Sequence, residues 1–70
     1  MKQIGNLAMV CARRSDVLLQ IQGGIVCLNI GTEPQRESIS LNWEDDIKIT
    51  ELIRKLNFGQ YAEKRGKMYD

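Results

Sequence analysis

The feature that most constrains the fold is a pair of glycines between two β-rich runs, Val17–Gln22 and Ile25–Ile30. Gly23 and Gly24 can both adopt positive φ without steric cost, which the two-residue turn of a β-hairpin requires. Because side chains alternate along a strand, this turn gives the hairpin one wholly aliphatic face, and a shift of one residue would destroy it. The aliphatic face of the predicted hairpin consists of Val17, Leu19, Ile21, Val26, Leu28 and Ile30.

A third strand is predicted after the hairpin. Gly31 and Pro34 interrupt a polar stretch that reads as a loop, and residues 38–43 then alternate polar and apolar side chains. An antiparallel strand beside the hairpin is the simplest placement. Three strands with one apolar face need a cover to be stable. The third strand would extend that face with Ile39, Leu41 and Trp43.

Residues 47–57 predict a helix that supplies this cover. Asp45 or Asp46 suits the N-terminal cap and complements the positive end of the helix dipole. Asn57 and Gly59 suit the C-terminal end. The apolar residues that recur at helical spacing are Ile49, Leu52, Ile53 and Leu56.

Residues 3–13 fit two interpretations. The alternation of Leu7, Met9 and Cys11 is compatible with a strand, whereas Ile4, Leu7, Ala8 and Cys11 share one helical face. We favour the helix. The predicted fold is therefore α+β, a three-stranded antiparallel β-meander with two helices packed on one face, in the order α-β-β-β-α. Residues 1–59 form the single predicted domain, and residues 60–70 form a polar C-terminal tail that is expected to fray.

This order resembles the double-stranded RNA-binding domain, which has a similar length and the same succession of elements. The resemblance concerns topology and implies a duplex RNA ligand. That family places lysines at the start of its second helix, where this chain has Glu44, Asp45 and Asp46. Its loop between the first two strands is replaced by the tight glycine turn. No functional residue is therefore carried over.

Composition argues against an enzyme. The chain of 70 residues has no histidine, which is the commonest general base and metal ligand. Cys11 and Cys27 lack the Cys-X-X-Cys spacing of a redox pair, and we expect buried or half-buried thiols. Carboxylates near the second helix suit Mg²⁺ or Ca²⁺, but a helix cap with a solvated face is the favoured interpretation. These carboxylates are Glu44, Asp45, Asp46 and Glu51. We predict no catalytic residues, no cofactor and no metal.

The apolar run Leu7–Ala12 is too short to span a bilayer, and the N-terminus shows no signal-peptide pattern. We therefore expect a cytoplasmic protein without a membrane partner.

The opposite face of the predicted hairpin is the leading functional candidate, because its strands carry no charged residue and interface cores are depleted in charge. Pairing of copies through an exposed edge strand is an alternative, and an ordinary solvent face is another. We predict a small intracellular protein-interaction module that docks a protein partner or self-associates, of the kind common among accessory and mobile-element genes. The candidate partner-binding residues are Leu18, Gln20, Gln22, Ile25, Cys27 and Asn29.

Nucleic-acid binding is the second predicted function. Three small basic clusters would converge on a phosphate backbone if the helix ends and the tail lie together. The net charge of +1 and a sequence pI of about 7.8 favour a solvated surface instead, since nucleic-acid binders usually exceed a pI of about 9. The candidate phosphate contacts are Arg13, Arg14, Arg54, Lys55, Lys64 and Arg65.

Overall fold

The computed structural model describes residues 2–62 and confirms the predicted α+β fold. The order of its elements is α-β-β-β-α, so the N-terminal segment is a helix and not a strand. Its elements are α1 (Ile4–Ala12), β1 (Val17–Gln22), β2 (Ile25–Ile30), β3 (Glu37–Asn42) and α2 (Asp46–Asn57).

The three strands form an antiparallel sheet in the order β1-β2-β3. The predicted hairpin register is confirmed, with Gln22 opposite Ile25 and Val17 opposite Ile30. Gly23 and Gly24 have φ values of 61° and 81°, and positive φ at both positions is what a primed two-residue turn requires. β3 continues the same alternation beside β2, so its Ile39 and Leu41 lie on the aliphatic face of the hairpin, opposite Leu28 and Val26.

Both helices pack on this apolar face and close a single core. α1 contributes Leu7 and Cys11, which are one helical turn apart. Ile21 belongs to the same face, but its side chain is 52% exposed because it lies at the hairpin end of an edge strand, where the helices leave it uncovered. The buried core residues are Leu7, Cys11, Val17, Val26, Leu28, Ile30, Ile49, Leu52 and Leu56.

Hydrogen bonds join the two helices at both ends. At the start of α1, the Gln3 N–H donates to a carboxylate oxygen of Asp46 at 2.9 Å. After the end of α1, the Arg14 guanidinium donates to the Leu56 carbonyl oxygen at 3.0 Å. The helices therefore run in the same direction. Of the two predicted caps of α2, Asp45 is the one that occupies the position, and its carboxylate accepts from the Lys48 N–H at 3.2 Å.

The first residues of the predicted tail are joined to the domain. Tyr61 packs against the core, and its N–H donates to the Lys55 carbonyl oxygen at 3.0 Å. The rest of the predicted tail, residues 63–70, lies outside the described residues. Between residues 2 and 62, no helix has the length and apolar character needed to cross a membrane.

Candidate interaction surface on the sheet

The sheet face opposite the helices is the leading candidate surface, and we call it the outer sheet face. Strand pairing arranges its side chains in three rows, each with one residue from every strand. None of these side chains is charged. The charged residues among residues 2–62 lie in the second helix, at the start of β3 and outside the helices and strands. The rows are Leu18, Asn29 and Ser38; Gln20, Cys27 and Ser40; and Gln22, Ile25 and Asn42.

The outer sheet face is open in the described part of the chain. Both helices pack on the other side of the sheet, against the core. Two apolar side chains are therefore left in solvent: Leu18 is 53% exposed and Ile25 is 41% exposed. A partner that covered these two side chains would gain binding free energy, because burying apolar surface stabilises a complex by about 25 cal/mol per Å² before the costs of association.

Hydrogen bonds organise part of this face. The Ser38 hydroxyl donates to the Asn29 side-chain oxygen at 2.6 Å, and the Ser40 hydroxyl lies 3.8 Å from the Cys27 sulfur. The side-chain amides of Gln20 and Gln22 have no hydrogen-bond partner among residues 2–62. The face thus combines polar groups paired with one another on β2 and β3 with solvent-exposed amides on β1 that have no protein partner within residues 2–62.

Arg14 is the candidate phosphate contact whose environment differs most from a free surface cation. Its side chain is 7% exposed and donates to both carboxylate oxygens of Asp16, at 3.0 and 2.8 Å. It also donates to the carbonyl oxygens of Leu56 and Tyr61, at 3.0 and 2.7 Å. The hydrogen bond from Arg14 holds the pKa of Asp16 below its ordinary value. Arg14 therefore serves the fold by joining the connection between α1 and β1 to the end of α2 and to the segment that follows it.

Three other predicted phosphate contacts, Arg13, Arg54 and Lys55, are exposed. They lie near the C-terminal ends of the two helices, which Arg14 brings to the same end of the helical layer. Cations at this position complement the helix dipoles. Lys64 and Arg65 lie outside the described residues.

Phe58 is an exposed residue that the sequence pattern did not mark. It follows α2, is 87% exposed, and lines a shallow depression with Arg54, Lys55 and Gly59. Phe58 lies outside the apolar stripe of α2, and this position in the sequence could have predicted its exposure. Ile47 at the start of α2 is 76% exposed for the same reason.

The thiols and carboxylates do not assemble a centre in the described part of the chain. No three of the side chains that bind metals come together within residues 2–62. Both thiols are free, as predicted: Cys11 is buried, and Cys27 is half-buried on the outer sheet face. Burial raises the pKa of the Cys11 thiol, although the nearby Arg14 opposes this shift.

Trp43 packs against the edge of the core, as its predicted place on the apolar face of the sheet requires. Its ring lies against Gly24 of the hairpin turn, and the Lys2 ammonium nitrogen is 4.8 Å from the ring centroid. The Trp43 ring therefore makes its contacts within the fold, with the core on one side and the Lys2 ammonium group over the ring.

No protein-family model, no curated protein and no solved structure matches this chain. Functional inference therefore rests on the surfaces described above. The order of elements expected from the double-stranded RNA-binding resemblance is present, and duplex RNA binding stays a prediction.

Proposed function

We propose that this protein is a small interaction module that docks a protein partner through its outer sheet face. The observation that supports the proposal is a continuous three-stranded surface that carries no charge and is covered by neither helix. Surfaces that are buried on binding favour this composition, because a charged group loses its hydration when a partner covers it. Leu18 and Ile25 supply apolar contact area, and the exposed amides of Gln20 and Gln22 supply hydrogen-bond donors and acceptors.

The test places one charge at the centre of the face. Ser40 is exposed in the middle row, so Ser40→Lys adds an ammonium group without disturbing the core. Thr50→Lys is the matched control, because Thr50 is exposed on α2 and the same charge is added on the other side of the sheet. Each tagged variant is used for quantitative affinity capture from the source cell, after circular dichroism has confirmed its fold.

We expect the partner captured by the wild type to be retained by Thr50→Lys and lost by Ser40→Lys. If the Ser40→Lys variant retains the same partner at the wild-type level, the outer sheet face is not the docking surface.

Nucleic-acid binding is the second candidate function, and one arrangement favours it. Exposed Phe58 lines one depression with Arg54 and Lys55, and base stacking on an aromatic ring beside cations is a common mode of single-strand binding. The balanced net charge and the acidic turn before α2 oppose it. A gel shift with duplex and single-stranded RNA at low salt separates the two functions. A salt-sensitive shift that the double variant Arg54→Gln, Lys55→Gln abolishes would favour nucleic acid over a protein partner.

A further inference from the structure

The free edge of β1 lacks the features that normally prevent strand pairing. Its six residues, Val17–Gln22, include no charged residue and no proline, and its register with β2 has no bulge. The other edge of the sheet differs, because β3 begins with Glu37 and follows a loop that contains Pro34 and Arg36. Charged side chains and prolines are the usual protection of an edge strand. The unprotected edge is therefore β1.

One hydrogen bond shows which backbone groups of β1 point away from the sheet. The Gly31 N–H donates to the Asp16 carbonyl oxygen at 2.8 Å, so residues 16 and 31 form a hydrogen-bonded pair. Such pairs alternate along an antiparallel ladder. The N–H and C=O groups of Val17, Leu19 and Ile21 consequently face outward. Within residues 2–62, no strand lies beyond β1 to form hydrogen bonds with these groups.

Apolar side chains flank this edge. Leu18 on the outer sheet face is 53% exposed, and Ile21 on the opposite face is 52% exposed. Helix α1, which packs against β1, contains no charged residue. A strand placed along β1 would thus meet apolar surface above and below the sheet, with no charge to desolvate.

We infer that the occupant of this edge is a second copy of the chain, paired through β1 in an antiparallel six-stranded sheet. A two-fold axis perpendicular to the sheet places Leu19 opposite Leu19 of the second copy, and Val17 opposite its Ile21. This register engages all three outward-facing residues of both copies, with about six new backbone hydrogen bonds. Both strands are uncharged, so the symmetric pairing brings no like charges together.

The pairing adds self-association to the proposed docking of a partner, and it enlarges the docking surface. The axis keeps corresponding faces on the same side, so the outer sheet faces of the two copies become continuous. A six-residue strand is only about 20 Å long, and the interface is small. We therefore expect a weak dimer, with a dissociation constant between about 1 µM and about 1 mM.

Sedimentation equilibrium across that concentration range tests the inference. The wild type is expected to approach twice the monomer mass. Ile21→Lys places an edge-blocking charge on β1 and should stay monomeric. Ile47→Lys makes the same change at an exposed isoleucine of α2 and should dimerise like the wild type. A wild type that is monomeric throughout, or an Ile21→Lys variant that dimerises normally, overturns the inference.

Amide hydrogen exchange identifies the edge that pairs. In the wild type, the N–H groups of Val17, Leu19 and Ile21 should gain protection as concentration rises. The outward-facing N–H groups of β3, at Ser38, Ser40 and Asn42, should not. Protection on β3 instead of β1 contradicts the inference. Since Ile21→Lys leaves the outer sheet face unchanged and Ser40→Lys leaves β1 unchanged, failure of dimerisation is distinguishable from failure of partner docking.

Discussion

Removing the Arg14 side chain should lower the stability of this fold substantially. The guanidinium group makes hydrogen bonds to Asp16, Leu56 and Tyr61, which belong to three different parts of the chain. Its side chain is 7% exposed, so water cannot replace these contacts while the fold is intact. We predict that Arg14→Ala loosens the end of the molecule where both helices finish.

The expected loss follows from these contacts. Removing one member of a buried ion pair costs about 3 to 5 kcal/mol. The Asp16 side chain is 32% exposed, and water therefore rehydrates part of the carboxylate in the variant. We accordingly expect Arg14→Ala to lower the free energy of unfolding by about 2 to 3 kcal/mol. A chain of 70 residues is stabilised by about 4 to 10 kcal/mol in total, so the loss is a large fraction.

Urea unfolding measures this loss, with the fluorescence of Trp43 as the probe because it is the only tryptophan. Arg13→Ala is the matched control, because the Arg13 side chain is exposed. We expect it to change the free energy of unfolding by no more than about 0.5 kcal/mol. Arg14→Lys should fall between them, because an ammonium group keeps the charge but cannot form the planar fork. Equal unfolding free energies for Arg14→Ala and Arg13→Ala would refute the reasoning.

Three further predictions test the remaining contacts. Arg14 lowers the folded-state pKa of Asp16 below the unfolded value of about 3.9. The stability that the Asp16 carboxylate contributes is therefore present above about pH 4 and is lost as the pH falls through the folded pKa. Acid titration of the wild type and of Asp16→Asn should show a smaller acid-induced loss of stability in the variant. Asp45→Ala removes the cap of α2 and should cost about 1 kcal/mol in urea unfolding; no change would mean that the cap hydrogen bond is not stabilising. Gly24→Ala places a side chain at φ 81°, where alanine is strained, and should lower the thermal midpoint; Gly23→Asn should be tolerated better, because asparagine adopts the left-handed region more readily and nothing lies within 4 Å of a Cβ at that position.

The hairpin and α2 could be predicted because local signals agree there. The glycine turn fixes the register, and only one register separates aliphatic from polar side chains. In α2, helical spacing and the Asp45 cap indicate the same boundaries. The composition of the outer sheet face follows from the same alternation, so its residues were identified from the sequence.

Other features depend on contacts between distant residues. The bond from Arg14 to the carbonyl oxygen of Leu56 joins positions 42 apart, and no local pattern distinguishes Arg14 from Arg13. The exposure of Ile21 follows from where the helices stop covering the sheet. α1 was ambiguous from sequence, because a short apolar run fits both periods, and packing of its Leu7 and Cys11 into the common core favours the helix.

Docking through the outer sheet face is the central claim, and the Cys27 thiol tests it most directly. Cys27 lies in the middle strand at the centre of that face and is half-buried. The measurement compares its alkylation rate in the free protein and in the protein bound to its captured partner, with buried Cys11 as an internal reference. Pairing through β1 alone leaves Cys27 accessible. The proposal predicts slower alkylation of Cys27 in the complex, and an unchanged rate would contradict it.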